Sequence, residues 1–599
     1  MCGIAGIVQL PRGGARDYDA RRESPRLGRM LDALRHRGPD GRGEAYTAHA
    51  ALGATRLALV DPAGGHQPVV SPDKRFTLVY NGELYNAPQL RRKLRAWDFR
   101  TRCDTEVLLA AWVTWGEACL DHLDGMFAFF VWDAQRMRGF AARDRLGVKP
   151  FVYRRAADEL LFASEAKALI PLLPSTPRLR TEAVLEMLVA PCFSGVEWPA
   201  VEGLEALMPG GWLRVDGGGV TTGRWWEPRF ERPPFDPPGN DGDTASLATE
   251  LRQRLTSATA ATLVADAPVG LFLSGGLDST LLAGLARRAG AGPPCFTVRF
   301  EGQATVDYAR SLIVTSDDSP HAERACGDLG LEHVWVDVSR STLAEDLRRL
   351  AIQNCALPAW EQELAQHHLA RAASSQVKAV LVGDAADETH YGYHFLLDAE
   401  ATRSPAAILR RFADAPIRRD LLPDPVAHFD THYQQLCADA GHGWDTREQR
   451  LAATTHLILA RWLPRLLHNG DIHTMAWGLE ARVPFATREV VDFAARVSPA
   501  LGLRGGVEKW LLRSAAEGVV SSTIQWRKKS ALPKDQGTVH VYRQELSTLL
   551  DPMASFFATY LDLEALRHRL EHPNPSEMEK ALFFRLITLG HWAHYYGVT

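Results

Sequence analysis

The stretch SGGLDST, residues 274–280, restricts the fold of this chain more than any other feature of the sequence. It follows the apolar segment VGLFL and opens the helical pattern LLAGLARRAG, which together predict a strand, a glycine turn and a helix. Glycines in such a turn let backbone N–H groups face an anion, and the start of the helix adds positive potential. The stretch lacks the lysine of a Walker A loop. The sequence therefore predicts a phosphate-binding turn of another type in an α/β sheet.

The segments around this turn predict a mainly parallel sheet with helices on both faces. ASLATELRQRLTSATAATLV has helical spacing, whereas CFTVRF, HVWVDV and VKAVLVGD have the composition of strands. Strands that alternate with helices are typical of doubly wound sheets. Beyond about residue 400 the pattern is largely helical.

The first part of the chain is dominated by short predicted strands. They are rich in β-branched and aromatic residues and are separated by Gly, Asp and Asn: IAGIVQL, ALGATRLALVD, RFTLVYNGELYN, MFAFFVWD, RGFAARDR and LLFASE. One helix is predicted at TEVLLAAWVTW, with Asp104 as its N-cap. Residues 228–243, PRFERPPFDPPGNDGD, predict a linker. Because 599 residues are too many for one core, we expect a domain at 1–227 and another at 244–599.

Composition excludes some classes of protein. A net charge of -4 argues against nucleic-acid binding, which requires a basic surface. The eight cysteines include no CxxC pair, which favours free thiols in a reducing cytoplasm over structural zinc. No apolar run reaches the roughly 18 residues of a membrane helix, and no signal peptide is evident. We therefore expect a cytoplasmic protein of enzyme size, without a nucleic-acid or membrane partner.

The sequence begins MCGIAGIV, which places a cysteine at position 2. Removal of Met1 would leave Cys2 with a thiol and a free α-amine on one Cα. A thiol becomes a nucleophile when an adjacent base accepts its proton, and the amine would supply that base. The alternative is an inert buried thiol, which is how most cysteines behave.

A second acidic motif, VGDAADE, follows the predicted strand VKAVLV. Asp384 and Asp387 would lie at the carboxyl end of that strand, where open α/β sheets bind ligands. A solvated acidic loop is the alternative, and the presence of SGGLDST favours ligand binding.

Six motifs in order, MCGIAGIV, RHRGPDG, NGELYN, SGGLDST, GDAADE and MAWGLEARVPF, resemble those of glutamine-dependent asparagine synthetases. The resemblance runs from Met1 to about Phe485, with further matches at VEKWLLR and WRKK. It implies a two-domain fold of the α/β and α+β classes. The first domain would be an N-terminal nucleophile (Ntn) glutaminase, an αββα sandwich. The second would be an adenine nucleotide alpha hydrolase-like α/β domain, of the PP-loop ATP pyrophosphatase type, with a helical C-terminal part.

For the first domain the resemblance implies a glutaminase site in which the Cys2 thiolate attacks the side-chain amide of glutamine. Asn81 and Gly82 would form the oxyanion hole, which typically contributes about 10²–10³ in rate for each donor. The loop RHRGPDG would shape the pocket without transferring a proton. The glutamine-binding residues would be Arg56, on the α-carboxylate, and Glu83 and Asp104, on the α-ammonium.

For the second domain the resemblance implies a site that splits Mg-ATP into AMP and pyrophosphate. Asp278 and Asp387 would hold Mg²⁺, and Lys509 in VEKWLLR would stabilise charge on the α-phosphate. Residues at the ends of two strands would bind ATP and pyrophosphate: Leu273, Ser274, Gly275, Gly276, Asp278, Ser279, Gly383 and Asp384. Of the remaining motif residues, Glu480 and Arg482 would brace the domain interior, and Arg527 and Lys529 would reach the nucleotide or the substrate.

The implied reaction is a glutamine- and ATP-dependent amide synthesis by a carbon–nitrogen ligase. Ammonia released from glutamine would displace AMP from an adenylated carboxylic acid, which is aspartate or a specialised acid. A buried route between the sites is expected, because free ammonia would be protonated and lost to water, and a water-free site would also protect the adenylate.

The sequence departs from the family pattern where the acceptor acid is selected. In GDAADETHYGY, alanines replace small flexible residues at 385 and 386, and residues 389–391 replace an apolar residue and glycine. Ala486 and Thr487 follow LEARVPF in place of Leu-Asp, and the segments around Cys355 and after Glu301 also differ. A specialised acid is therefore an open alternative to aspartate.

Two further interpretations are considered. Ring closure by an internal amine, as in β-lactam synthetases, would keep the fold but dispense with Cys2 and the glutamine-binding residues. A non-catalytic scaffold would have lost Cys2 or the phosphate turn. Both features are present in the sequence. A homodimer is compatible with the resemblance, although nothing in the sequence requires one.

Overall fold

A computed structural model describes residues 2–10, 19–228, 241–306, 308, 316–353, 357–530 and 537–598. The predicted linker lies mostly outside these described residues, as do Cys355 and much of the segment after Glu301, so the interpretations of these stretches stay predictions.

The first part of the chain forms two antiparallel sheets of six strands each among the described residues. The strands are β1 (Cys2–Gln9), β2 (Gly41–Thr47), β3 (Ala50–Arg56), β4 (Val69–Val70), β5 (Phe76–Leu84), β6 (Gly125–Asp133), β7 (Arg138–Arg143), β8 (Val152–Arg155), β9 (Glu159–Ala163), β10 (Glu205–Ala206), β11 (Gly211–Asp216) and β12 (Gly219–Arg224). One sheet has the order β10-β8-β9-β1-β3-β2 and the other β12-β11-β7-β6-β5-β4.

The two sheets pack face to face across an apolar layer. Ile4, Val79 and Phe130 belong to this layer, and the rings of Phe130 and Phe162 stack with centroids 4.5 Å apart. Helices cover the outer faces: α1 (Ser24–Ala33), α2 (Ala87–Lys93) and α3 (Asp104–Trp115), followed by α4 (Thr181–Val189). Alternating side chains fill the layer and the two outer surfaces, which produces the expected αββα sandwich.

The second part of the chain contains a parallel sheet of five strands in the described residues. The strands are β13 (Val269–Phe272), β14 (Cys295–Phe300), β15 (His333–Val338), β16 (Ala379–Leu381) and β17 (Glu480–Arg482), in the order β15-β14-β13-β16-β17. The chain runs outward from β13 in one direction and then returns to β16 on its other side. The crevice between the ends of β13 and β16 is therefore a topological switch point, where such sheets bind ligands.

Helices surround this sheet and form the C-terminal part. They are α5 (Asp241–Thr262), α6 (Leu277–Arg288), α7 (Ser319–Leu329), α8 (Leu343–Gln353), α9 (Gln362–Ala373), α10 (Ala386–Thr389), α11 (Pro405–Leu409), α12 (Pro425–Asp439), α13 (Arg447–Leu457), α14 (Leu463–Met475), α15 (Arg488–Ala494), α16 (Pro499–Gly502), α17 (Trp510–Ala515), α18 (Ser522–Gln525), α19 (Val539–Leu550), α20 (Ala554–Ala558), α21 (Leu563–Glu571) and α22 (Glu577–Tyr596). Of the helices in the described ranges, none has the length and apolar character needed to cross a membrane.

One predicted helix start is wrong by a residue. Asp104 is the first residue of α3, and Cys103 occupies the N-cap. The Asp104 carboxylate does not cap the helix, because its Oδ2 accepts hydrogen bonds from the Tyr80 hydroxyl at 2.7 Å and from the Leu84 N–H at 2.9 Å. The side chain thus faces the sheet, where the resemblance places the glutamine site.

Candidate active sites

Cys2 is the first residue of β1 and lies between the two sheets, with only 5% of its surface exposed. Its Sγ accepts a hydrogen bond from Gln67 Nε2 at 3.3 Å, and its backbone N donates to Asn81 Oδ1 at 3.2 Å. Burial raises the pKa of the Cys2 thiol. A nearby base is therefore needed to form the thiolate, and the α-amine freed by removal of Met1 would be bonded to the same Cα.

Asn81 has a free donor next to Cys2. Its side chain is buried, and among the described residues its Nδ2 has no hydrogen-bond partner. Buried donors are nearly always paired in folded proteins, so this donor beside Cys2 is available to a ligand or a water molecule. A Cβ on the adjacent Gly82 would lie 2.4 Å from the Met126 carbonyl oxygen, which explains why glycine occupies this position.

The predicted glutamine-binding residues surround Cys2 but differ in their contacts. Arg56 is directly opposite Cys2 across the β1–β3 pair, and its guanidinium donates to the carbonyls of Pro62 and Asp61, each at 2.7 Å. The charges of Arg56 and Asp104 are close enough to shift the pKa of the Cys2 thiol in opposite directions. The structure therefore brings a cation and an anion to the same pocket.

Glu83 lies at the junction of the two halves. Its Oε2 is 3.4 Å from Arg482 Nη2, on β17 of the parallel sheet. Burial and the Asp104 charge raise the pKa of Glu83 well above its ordinary range. Arg482 also contacts Glu480 Oε1 at 2.6 Å and the carbonyl of Thr262 at 2.8 Å. Glu480 and Arg482 are fully buried, and their contacts extend beyond the domain interior to the first half.

The phosphate turn joins β13 to α6. Gly275 adopts a positive φ of 67°, and a Cβ there would lie 2.3 Å from the backbone N of Ala322. Ser274 Oγ lies 3.1 Å from Ser279 Oγ and accepts a hydrogen bond from the Gly276 N–H at 3.3 Å. These contacts hold the turn closed with the N-terminus of α6 facing the switch point, as an anion site requires. Leu273, just before the turn, is buried under it.

Two lysines and two aspartates meet at the switch point. Lys509 Nζ lies 2.5 Å from Asp278 Oδ2 and 2.5 Å from Asp387 Oδ1, and Lys529 Nζ contacts Asp387 Oδ2. Burial alone would lower the pKa of Lys509, but the two carboxylates raise it above its ordinary value. Lys509 is therefore a fixed positive charge beside the phosphate turn. Lys529 reaches the same cluster, and its contact with the nucleotide or the substrate stays a prediction.

Two predicted ATP-binding residues follow β16 beside this cluster. Gly383 packs on the phosphate turn, since a Cβ on it would lie 3.2 Å from Asp278 Cβ. Burial and the charges of Asp387 and Asp278 raise the pKa of Asp384 to about 6. The loops after β13 and β16 thus meet as the topology predicts.

Arg527 contacts the phosphate turn from outside the cluster. Its Nη1 donates to the Gly275 carbonyl at 3.2 Å, and its Nη2 contacts Asp318 Oδ1 at 2.5 Å and Ser316 Oγ at 2.7 Å. Arg527 therefore connects the phosphate turn to Ser316 and Asp318. Its contact with the nucleotide or the substrate stays a prediction.

The donor set suits a magnesium ion held together with a phosphate. In the part of the chain that the structure describes, no three His, Cys, Asp or Glu side chains form a complete metal site. Mg²⁺ is usually held by one or two carboxylates and substrate phosphates. Asp278 Oδ1 is buried and has no hydrogen-bond partner, so it fits that requirement. Both oxygens of Asp387 contact lysines, so this carboxylate would have to release one lysine before it could bind Mg²⁺.

The departures from the family motif affect the backbone after β16. Ala385 and Tyr391 have positive φ angles of 72° and 57°, which cost L-residues free energy and occur where surrounding contacts enforce them. Thr389 Oγ1 donates to the Ala385 carbonyl at 2.5 Å, and the Tyr391 hydroxyl donates to the Val497 carbonyl at 3.0 Å. The Tyr391 ring thus packs against Gly502, while its backbone carbonyl accepts a hydrogen bond from the Lys509 N–H at 3.4 Å.

A buried charge network crosses the junction between the halves. Arg37 Nη2 lies 2.7 Å from Asp471 Oδ2, and Lys149 Nζ lies 2.9 Å from Asp471 Oδ1. Arg37 Nη1 contacts Glu165 Oε1 at 2.7 Å, and Arg37 Nε donates to the Cys2 carbonyl at 3.3 Å. Of these charged residues, only Arg37 belongs to a motif that the sequence analysis identified, RHRGPDG. Gln67 and Asp471 were missed, because no local pattern marks them.

Comparison with known proteins assigns each half of the chain to a family. A family model described as a glutamine amidotransferase domain matches residues 1–226, and one described as asparagine synthase matches residues 250–594. The chain is 30% identical over 595 residues to glutamine-hydrolysing asparagine synthetase 3 of Bacillus subtilis (strain 168), covering 95% of this chain and 93% of that protein. It is 26% identical over 597 residues to asparagine synthetase B of Escherichia coli (strain K12), covering 97% and 90%.

The sandwich with a buried cysteine at the start of its first strand, and the parallel sheet with a glycine turn after β13, form the fold of a two-domain glutamine amidotransferase. The chain belongs to the family of glutamine-hydrolysing asparagine synthetases. It is a glutamine- and ATP-dependent, amide-forming ligase, and the expected family, fold class and type of activity are confirmed.

Proposed function

We propose that Cys2, freed by removal of Met1, releases ammonia from glutamine in the first half of the chain. Sγ attacks the side-chain carbon of glutamine, and the α-amine of Cys2 carries the proton from the thiol to the departing nitrogen. Water then cleaves the thioester to give glutamate. The observation that carries this proposal is the unpaired Nδ2 of Asn81, held beside Cys2 and placed to receive the oxyanion together with the Gly82 N–H.

Glutamine would be oriented by charges at its other end. Arg56 would donate hydrogen bonds to the α-carboxylate, and Asp104 would accept hydrogen bonds from the α-ammonium in a pocket from which water is largely excluded. Glu83 is the weaker candidate for the ammonium, because Arg482 already contacts it.

In the second half, ATP would bind with its phosphates at the turn of residues 274–279 and with Mg²⁺ at Asp278 and Asp387. The ion would neutralise phosphate charge during adenylation. Lys509 is a buried, permanently charged group beside both aspartates and would stabilise the negative charge that develops on the α-phosphate. A carboxylic acid attacks this phosphate, pyrophosphate leaves, and ammonia then displaces AMP.

The acceptor we propose first is aspartate, because the relatives that match nearly the whole chain are named asparagine synthetases. A bulkier acid is the second candidate. A cavity of about 850 Å³ lies between the halves and is lined by Trp225, Trp226, Thr389, Leu459 and Val491, among others. Thr389 belongs to the altered motif after Asp387, so this cavity is beside the segment where the chain departs from its family.

The experiment supplies wild-type protein and Cys2→Ala with Mg-ATP, aspartate and either glutamine or ammonia. Wild type should form amide from both nitrogen sources, whereas Cys2→Ala should use ammonia only. The measurement is release of AMP, glutamate and asparagine. Glutamine-dependent product from Cys2→Ala would contradict the proposal for the first half. AMP formation with a panel of larger acids but not with aspartate would replace the first acceptor by the second.

The cytoplasm is the compartment that we propose, since the described cysteines are all free thiols. The homodimer stays a prediction, for which light scattering of the purified protein is the measurement.

A further inference from the structure

Asp471 is a residue of the second half that reaches the nucleophile of the first through one intermediate side chain. It lies on α14, and its two carboxylate oxygens contact Arg37 and Lys149, both from the sandwich. The side chains of all three residues are completely buried. Since water cannot screen or replace these contacts, they fix the position of Arg37 relative to α14.

The position of Arg37 affects the orientation of Cys2, because the guanidinium of Arg37 is a rigid planar group. Glu165 holds Nη1 and Asp471 holds Nη2, which leaves Nε directed at the Cys2 carbonyl at 3.3 Å. A lysine would lack this fixed geometry. The carbonyl belongs to the same residue as the reacting sulfur, so a shift of Arg37 would tilt Cys2 relative to Asn81.

The other end of the connection lies at the second site. Gly470 precedes Asp471 on α14, and a Cβ at Gly470 would lie 3.3 Å from Asp384 Oδ2. Asp384 belongs to the motif after β16, beside the phosphate turn. Gly470 therefore lies close to Asp384, and the contacts of the next residue, Asp471, continue through Arg37 to the Cys2 carbonyl. Arg37 and Asp471 are 434 residues apart in the sequence.

We propose that Asp471 is a positioning residue for the glutaminase nucleophile, contributed by the synthetase half and acting through Arg37. This inference rests on the proposed role of Cys2. A displacement of reacting groups by about 1 Å can cost roughly 10²-fold in rate, so a residue two contacts away can affect catalysis without touching substrate.

The test is Asp471→Asn, which preserves size and removes the charge. We expect kcat for glutamine hydrolysis to fall by roughly 10- to 100-fold with KM changed less than about 3-fold, because the binding residues are not displaced. Ammonia-dependent AMP formation should stay within about 2-fold of wild type, which also shows that the variant is folded. Asp471→Glu should recover part of the lost kcat.

A matched control is Lys378→Gln. Lys378 pairs with Asp40 at 2.7 Å across the same junction, but this pair is partly exposed and does not contact Cys2. Its removal should leave both activities unchanged. If Lys378→Gln lowered glutaminase activity as much as Asp471→Asn, general loosening of the junction would explain the result and the proposal would be overturned.

A double variant tests the route through Arg37. If Asp471 acts through Arg37, Arg37→Gln combined with Asp471→Asn should hydrolyse glutamine no more slowly than Arg37→Gln alone. Independent, multiplicative losses would overturn the proposal, as would an unchanged kcat in Asp471→Asn. If Asp471→Asn is insoluble, Asp471→Glu is measured instead. A kcat below that of wild type with little change in KM would support the proposal, and an unchanged kcat would overturn it. Absence of glutaminase activity in wild type would instead contradict the proposed function itself.

Discussion

At the scale of single residues, the proposed glutaminase site would depend on one hydrogen-bond donor, Asn81 Nδ2, which has no partner among the described residues. Asn81 uses Oδ1 to accept from the Cys2 backbone, and this contact turns Nδ2 into the pocket. A buried amide N–H without a partner destabilises the free protein. A hydrogen bond from this N–H to the oxyanion would remove that free-energy penalty in the transition state.

Asn81→Ala should lower kcat for glutamine hydrolysis by about 10²–10³-fold, with a small effect on KM, because the lost donor acts on charge that develops in the transition state. Steady-state release of glutamate measures this. Ammonia-dependent AMP formation is the internal control and should not change. A loss that appears mainly in KM would show that Asn81 binds the ground state instead.

At the scale of secondary-structure elements, α4 of the first half is joined to α12 of the second through a buried carboxyl. Glu186 Oε1 accepts from the Tyr433 hydroxyl at 2.7 Å, and Oε2 accepts from the Gly195 N–H at 3.0 Å. Burial raises the pKa of Glu186 to about 7. The folded protein thus holds this group protonated where the unfolded chain would ionise it.

The sign of the pH effect follows from this difference. A raised folded-state pKa gives a contribution to stability that is complete below the unfolded value, near 4.5, and is lost as pH rises through about 7. Glu186→Gln should remove this loss, so its thermal midpoint at pH 8 should exceed that of wild type while the two agree near pH 5. The exposed Glu182→Gln on the same helix is the control. Equal pH dependence of wild type and Glu186→Gln would contradict the assignment.

The elements and sites that sequence could predict are those with local patterns. Strands with alternating or continuous apolar residues, the turn at 274–280 and the motif around Asp384 lie where their patterns place them. Strand β17 was not predicted, because three residues are too few to show the alternation of apolar and polar side chains that marks a strand. Asp104 was placed at the N-cap because a carboxylate before an apolar helix usually caps it, whereas here tertiary hydrogen bonds to Tyr80 and Leu84 prevail.

Long-range pairs could not be predicted in the same way. The partner of Arg37 is hundreds of residues distant, and either residue alone resembles an ordinary surface charge. The same holds for Glu83 and Arg482, whose contact depends on how two separately folded sheets meet. Sequence therefore predicted the chemistry of each site and a buried route between them, but not the residue pairs that join the two halves.

At the scale of the whole molecule, the junction should make the two halves unfold together. Loss of one half would leave the buried charges of the other without partners, and breaking a buried ion pair from one side typically costs about 3–5 kcal/mol. Differential scanning calorimetry should show one transition for wild type. Raising NaCl to about 1 M should leave it single, because salt screens exposed pairs such as Lys378–Asp40 but not the buried network. Two resolved transitions at low salt would contradict this prediction.

The charges at the junction also limit how such enzymes can be recombined. Asp471 forms ion pairs with two cations that belong to the other half. A chimera that grafts a foreign glutaminase onto this synthetase would inherit the aspartate without its complement unless Arg37 and Lys149 travel with it. An alignment would not reveal this problem for a breakpoint in the Pro-rich stretch between the halves, but the Asp471 carboxylate would still be left buried without its ion-pair partners. Arg37, Lys149 and Asp471 therefore have to be exchanged together.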